Sequence, residues 1–378
     1  MKIAVVLNTS WNIYNFRMGL IKALMGNGHE IHTIAPIDPF TEKLISIGCH
    51  HHDLKMDSRG ANPVKDFGLI MELRSIYKKV KPDMILHFTI KPNIYGTLAA
   101  ATLGIPVINN VCGLGTVFLK GGIIASIAKK LYKFSFKHAL KVFFQNQEDL
   151  QLFLDNRLVT QEVCEVLPGS GINISLFEPE PPKTNKVFTF LMISRVIFDK
   201  GIVEFVDAIR ILQSKGIKAR FQLLGGTDPL HKSGIPEKTI SGWRNAGLLE
   251  YLGKTENVIP YINAADCVVL PSYREGSPRS LMEAAALAKP IVTTNVAGCN
   301  QVVKDEYNGF LCELKSATDL ADKMIKMINL PEEKRFEMGA NGRKKMELEF
   351  SEKVVINKYR TAINSTLSVG ANTSLRLA

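Results

Sequence analysis

The chain has 378 residues, 46% of them hydrophobic and 22% charged, and a formal net charge of +11. That balance excludes a disordered chain, and the length exceeds what one hydrophobic core serves, so two domains of somewhat under ~200 residues each are expected. The basic excess points to phosphate as nucleic acid, anionic lipid or a phosphorylated small molecule, without choosing among them.

The run KIAVVL (2–7) is too short for a signal-peptide core and reads as a parallel strand covered on both faces. The segment 8–17 follows, with no glycine but with Asn12 and Arg17. Its bulk suggests a shaped pocket; a capped loop packing Trp11 and Phe16 into the core fits equally well. A helical pattern, RMGLIKALMGNGH, stops at a glycine. EIHTIAP, MILHF, PVINNV, KVFFQN and CEVLP continue the strand series at intervals suited to crossover helices, which makes a doubly wound α/β domain. His50, His51 and His52 have no matching cysteine or carboxylate spacing, so no metal is expected there. The six cysteines contain no C-x-x-C pair and read as reduced thiols of a cytosolic protein.

Within this half, GIIASIAKKLYKFSFKHALK (122–141) carries an apolar stripe of Ile123, Ile124, Ile127, Leu131 and Phe134. Lys129, Lys130, Lys133 and Lys137 form an adjoining band, with Tyr132 and Phe136 beyond them. Such a helix suits the boundary of an anionic bilayer. The competing reading is a crossover helix whose stripe packs on the sheet while its lysines are solvated. No apolar stretch reaches the ~20 residues of a membrane-spanning helix.

A second strand series runs through VFTFLMIS, RFQLLG, EYLG, CVVLPS, PIVTT and GFLCEL. Between the series lies FEPEPPKT (177–184), whose prolines make a stiff linker. The expected division is 1–178, 179–350, and a closing segment 351–378 whose helix packs on the first domain before a frayed tail. Two such domains facing a central cleft would hold a ligand beyond the carboxyl ends of their strands.

The strongest chemical signal is PSYREGSPRSLME (271–283), directly after CVVLPS. Ser277 followed by Pro278 predicts a helix start, and the first N–H groups of such a helix suit a diphosphate. Glu283 sits among Leu281, Met282 and alanines, as in a buried helix, so its carboxylate needs partners: sugar hydroxyls, nearby N–H groups or an arginine. Glu275 stands at the strand end. The second signal is SRVIFDKG (194–201), where Arg195 and Lys200 either clamp a diphosphate or form a solvated basic loop. No Asp-x-Asp metal motif occurs in the chain.

These motifs, with the order of elements, resemble the retaining family 4 glycosyltransferases of GT-B fold over nearly the whole chain. The segments HFTIKPNIYG (87–96), NNVCGLGTVF (109–118) and PGSGIN (168–173) are most similar to bacterial enzymes that add sugars to polyprenyl-diphosphate-linked saccharides. The resemblance implies catalytic roles for Glu275, Arg195 and Lys200. Arg195 and Lys200 would bind the donor diphosphate, Glu275 the sugar hydroxyls and Glu283 the ribose. Backbone of Gly276, Ser277, Pro278, Arg279, Ser280 and Leu281 would contact sugar and phosphate, and the base would lie near Gly253 and Thr255. Asn12, Arg17, Cys112 and Gly113 would face the acceptor. Many relatives place a histidine where this chain has Cys112, which leaves the donor sugar open.

The expected partners are a nucleotide sugar, a UDP-linked hexose or N-acetylhexosamine by preference, a polyprenyl-diphosphate-linked saccharide, and the cytoplasmic face of the inner membrane. No cofactor, metal or nucleic acid is expected. A nicotinamide oxidoreductase would need G-x-G-x-x-G after the first strand, which is absent. A sugar-nucleotide epimerase of the same fold and a non-enzymatic phosphate or nucleic-acid binder are the alternatives.

Overall fold

The structure, a computed structural model, describes residues 1–57, 62–114, 122–181, 186–228 and 231–374, with the side chains of Ile123, Ile124 and 366–374 outside that description. It divides into one unit of Met1–Gly171 with Glu352–Ala378 and another of Ile172–Ser351. The division thus falls before the proline-rich run rather than within it. The reason is local bonding: the Ile172 N–H donates to the Phe350 carbonyl at 2.8 Å, and Glu180 accepts from Asn263 at 3.0 Å. Arg343 meanwhile donates to the carbonyls of Phe177 and Ala286, which straps the start of that run to the second unit.

In the first unit the strands are β1 (Lys2–Val6), β2 (Glu30–Ala35), β3 (His50–Asp53), β4 (Met84–Phe88), β5 (Val107–Val111), β6 (Lys141–Phe144) and β7 (Cys164–Val166). They lie in the order β3-β2-β1-β4-β5-β6-β7, every pair parallel. The central strands β1, β4 and β5 are buried on both faces because helices cover both, with His87, Asn109 and Asn110 as polar exceptions to an otherwise mostly apolar set. One core contains Leu73, Tyr77, Tyr132, Phe136 and Phe153, from α3 (Pro63–Val80), α5 (Gly122–Phe136) and α6 (Gln147–Asp155). Between α3 and α5 a π-helical turn, Pro92–Gly96, runs into α4 (Thr97–Ala101). The other core joins α1 (Ser10–Gly26) and α2 (Thr41–Ser46) to the final helix, Glu352–Ser374, through Ile13, Leu20, Leu44 and Tyr359.

One expectation about this unit changes, and one strand lies outside the expected series. The segment 8–17 is mostly helix, because Thr9 caps α1 by accepting the Asn12 N–H at 3.0 Å. Trp11 is 42% exposed, edge-on to Phe16 at 5.4 Å, so it is not a core residue. The histidine run is the edge strand β3. Along a strand alternate side chains share a face, so His50 and His52 both stack on His32, at 5.0 and 5.2 Å. No group of three or more His, Cys, Asp or Glu among the described residues is arranged to hold a metal ion.

The second unit has β8 (Thr189–Ile193), β9 (Arg220–Leu224), β10 (Glu250–Gly253), β11 (Cys267–Leu270), β12 (Ile291–Thr294) and β13 (Gly309–Cys312), in the order β10-β9-β8-β11-β12-β13, again all parallel. Helices α7 (Ile202–Ser214), α8 (Glu237–Asn245), α9 (Ile259–Ala264), α10 (Arg279–Ala286), α11 (Cys299–Val302), α12 (Ala317–Asn329) and α13 (Glu332–Glu349) surround one core. The strand β8 changes neighbours from β9 to β11 at the sheet centre, the reversal beyond which such sheets hold ligands.

Candidate functional site

Five loops converge at the carboxyl ends of β8 to β12, and backbone contacts join them. After β8 a single tight turn, Phe198–Lys200, is closed by Gly201 in the left-handed region at φ 74°. A Cβ at Gly201 would stand 2.0 Å from the Pro271 carbonyl oxygen, so only glycine permits the approach of this turn to the end of β11. The Tyr273 N–H then donates to the Asp199 carbonyl at 3.0 Å.

That docking brings Lys200 and Glu275 together. The Lys200 ammonium bonds a carboxylate oxygen of Glu275, and the two side chains are only 18% and 12% exposed. Two charges removed from water this far need each other or a ligand of matching charge. Glu275 is fixed from a third side: its N–H donates to the Ala297 carbonyl at 3.1 Å. Gly298, at φ 82°, lies so close that a Cβ would meet the Glu275 carbonyl oxygen at 2.6 Å. Arg195 is exposed at the end of β8.

The predicted helix after this loop exists with a later start. Pro278 is extended and occupies the position before α10, while the Ser277 hydroxyl contacts the Met282 sulfur at 3.1 Å instead of capping the helix. Leu281 and Met282 already donate their N–H groups to the Pro278 carbonyl. Glu283 is 8% exposed, and Arg279 Nε donates to it at 2.8 Å, so the arginine-paired arrangement foreseen for it is the one found. Burial pushes the Glu283 carboxyl above the usual carboxylate range, and the Arg279 charge opposes that rise.

On the other side of β8 the Gly225 N–H donates to the Gly253 carbonyl at 2.7 Å. A Cβ on Gly225 would strike the Ser194 carbonyl, and Tyr251 donates its hydroxyl to the Gly225 carbonyl at 2.8 Å. Thr255 caps the next turn by accepting from the Asn257 N–H at 3.1 Å. Gly253 and Thr255 therefore sit two strands from Arg195, beyond β9, at the same carboxyl edge of the sheet. Sequence reasoning missed Gly225, Tyr273, Ala297 and Gly298. Only the glycines after PIVTT and RFQLL carried a signal, as breaks at strand ends.

In the first unit Arg17, Cys112 and Phe88 meet beyond β4 and β5. The Arg17 side chain is 5% exposed, lies 4.2 Å from the centre of the Phe88 ring and donates to the Cys112 sulfur at 3.4 Å. Its Nε is buried without a hydrogen-bond partner among the described residues. Cys112 donates to Asn110 Oδ1 at 3.4 Å, and Gly113 follows at φ 122°. Asn12 is held apart from this group by Asn8, whose Oδ1 accepts its amide at 2.8 Å.

On α5 the inward side chains are Ala125, Tyr132, Ser135 and Phe136. Ile127 and Phe134 are 52% and 59% exposed, so the predicted stripe does not pack on the sheet at these two positions. Leu131 is half-buried against the core. Lys129 departs from the predicted band, since it donates to Asn156 at 2.8 Å and is partly buried, whereas Lys130, Lys133 and Lys137 are exposed. Ile123 and Ile124 fall outside the described side chains. No helix among the described residues is long and apolar enough to cross a membrane.

Residues 174–345 match the family of glycosyl transferases group 1, and residues 2–146 match the glycosyl transferase 4-like family. The chain is 30% identical over 376 residues to the N,N'-diacetylbacillosaminyl-diphospho-undecaprenol alpha-1,3-N-acetylgalactosaminyltransferase of Campylobacter jejuni, covering 95% of this chain and 97% of that one. It is 24% identical over 282 residues to the UDP-Gal:alpha-D-GlcNAc-diphosphoundecaprenol alpha-1,3-galactosyltransferase of Escherichia coli, covering 71% and 72%. Among solved structures, Anabaena Alr3699/HepE in complex with UDP and glucose aligns with a TM-score of 0.76 at 18% identity, over 97% of this chain and 99% of that one. The two parallel-sheet units are those of GT-B enzymes, and the chain belongs to the glycosyltransferases, its first half matching the 4-like family and its second the group 1 family.

Proposed function

We propose that the enzyme transfers a hexose or N-acetylhexosamine from a UDP-linked donor to a polyprenyl-diphosphate-linked saccharide, with retention at the anomeric carbon and without a metal ion. The names of the Campylobacter and Escherichia relatives supply the acceptor class, the alpha linkage and, for the second, the UDP donor.

The observation that carries the mechanism is the Lys200–Glu275 pair at the switch point of the second sheet. A donor diphosphate takes over Lys200 and draws in Arg195. Glu275 then accepts hydrogen bonds from sugar hydroxyls. As the glycosidic bond to the diphosphate breaks, the two cations stabilise the charge that collects on the leaving group, the task a metal performs elsewhere. Glu283, paired with Arg279, accepts from both ribose hydroxyls. Arg17 and Cys112 face the acceptor from the first unit.

The lipid-linked acceptor brings the enzyme to the cytoplasmic face of the inner membrane, where the exposed Ile127, Lys130, Lys133 and Phe134 of α5, and Lys137 in the turn just after it, contact anionic lipid. The test is transfer of radiolabelled sugar from a panel of UDP- and GDP-sugars to a polyprenyl-diphosphate saccharide, with the anomer assigned by NMR. Sugar-nucleotide epimerisation without transfer, or an inverted product, overturns the reading.

A further inference from the structure

We propose that α3 forms, together with α5, a two-helix surface that enters the anionic bilayer. This rests on the peripheral-membrane reading above and extends it to a helix to which nothing else assigns a role. Val64, Phe67 and Met71 of α3 are 82%, 65% and 49% exposed. At about 100° per residue these three fall within one narrow arc, while the buried Leu69, Leu73 and Tyr77 lie on the opposite side. A phenylalanine, a valine and a methionine on a single outward stripe are more than the scattered apolar residues of an ordinary surface.

Two observations select the occupant. The first is continuity: α3 and α5 both pack on the segment Pro92–Ala101, from the same side of the first sheet, and share one core with it. Their outward faces therefore lie to either side of that short segment. The second is charge. Lys65, Lys78 and Lys79 are exposed on α3, and α5 adds Lys130 and Lys133 without a single acidic residue, with Lys137 exposed in the turn just after it. Of the acids of α3, Asp66 is buried between Lys91 and Tyr95, at 2.9 Å from each, and Glu72, on the flank of Lys65 and off the apolar stripe, accepts the Lys55 N–H at 3.0 Å. Asp57, which stands 3.8 Å from Lys65, lies before the helix. Apolar side chains ringed by lysines match an anionic lipid interface, with the rings and thioether reaching the acyl boundary and the ammonium groups at the phosphates.

The experiment uses the full chain with vesicles of phosphatidylcholine alone or with phosphatidylglycerol. The expected result is sedimentation with the anionic vesicles only, a tenfold or larger loss of binding in the double variant Phe67→Ser, Met71→Ser, and a comparable loss when Lys130, Lys133 and Lys137 become Gln. Circular dichroism and UDP binding serve as folding controls, since all these side chains are exposed. A Phe67→Trp variant is expected to blue-shift on binding and to be quenched by brominated acyl chains beyond the quenching of the parent's own Trp11 and Trp243. A parent that binds no vesicle overturns the membrane reading itself. A parent that binds, with the α3 double variant equal to it and Phe67→Trp unquenched, overturns the α3 proposal alone. Loss of self-association in that double variant, with vesicle binding intact, overturns it in favour of a contact between copies of the chain.

Discussion

Tyr359, in the final helix, accepts a hydrogen bond from the side-chain amide of Asn110 at 2.9 Å, across 249 residues of sequence. Its ring packs between Phe88 and Phe143, and the other end of the Asn110 amide accepts from Cys112, whose sulfur Arg17 contacts. The last helix of the chain therefore holds the strand ends of the first unit. Tyr359→Phe keeps the ring but leaves a buried amide donor unpaired, which costs about 1–3 kcal/mol of stability. We expect a lower Tm together with a raised KM for the saccharide acceptor and an unchanged Kd for UDP. An unchanged acceptor KM in the folded variant removes this group from the acceptor site.

Glu283 and Glu275 separate by assay. Glu283→Ala deletes two acceptors for the ribose and is expected to weaken UDP binding by roughly 30- to 150-fold, at about 1–1.5 kcal/mol per hydrogen bond. Glu275→Ala releases Lys200, so UDP binds at least as well while turnover collapses. Calorimetry with UDP beside a transfer assay checks both, and unchanged kinetics in both variants would sink the assignment.

Arg195→Ala and Lys200→Ala are each expected to lower kcat by about 10²–10³, the scale for removing one preorganised group from a developing charge. Activity is expected to survive EDTA. Complete loss in EDTA with recovery on adding a divalent ion contradicts the metal-free mechanism.

Gly298→Ala tests the scaffold beneath Glu275. The new methyl meets two carbonyl oxygens of residues 275 and 276, at a position already in the left-handed region. Strain of roughly 1–3 kcal/mol is expected, with the loop displaced and turnover reduced more than UDP affinity. A variant with parental Tm and kcat shows that the loop moves freely.

The first unit predicts an acid limit. His87 is fully buried, with the Tyr77 hydroxyl donating to its Nε2 at 2.9 Å and Asn109 Oδ1 3.1 Å from its Nδ1, so Nδ1 carries the proton of a neutral ring. Burial pushes its pKa down to about 3, and burial beside His32 lowers His52 to about 4. Both folded values lie below the ordinary 6.5 of the unfolded chain, so the unfolded state binds more protons between those limits. Stability is therefore complete above about pH 6.5 and declines as pH falls towards 4. Urea midpoints at pH 7.5, 6, 5 and 4 should fall in that order, and His52→Gln should flatten part of the slope. A midpoint independent of pH from 7.5 to 5 refutes this.

Local sequence determined most of the fold. A parallel strand covered on both faces is a continuous apolar run, so VFTFLMIS, CVVLPS and PIVTT announce themselves. The break at Pro278 likewise announces α10 to within two residues. The edge strand β3 escaped because half its backbone pairs with nothing, which allows a histidine run that no apolar pattern reveals. Tertiary structure alone decided the pairing of Lys200 with Glu275, the threading of Tyr359 against Asn110, and which face of α5 turns outward. Each depends on chain segments brought together by packing rather than by sequence spacing. A helix repeats its side chains every 3.6 residues whichever way it is turned, so periodicity yields a stripe, and only the neighbouring core decides whether that stripe is buried or exposed.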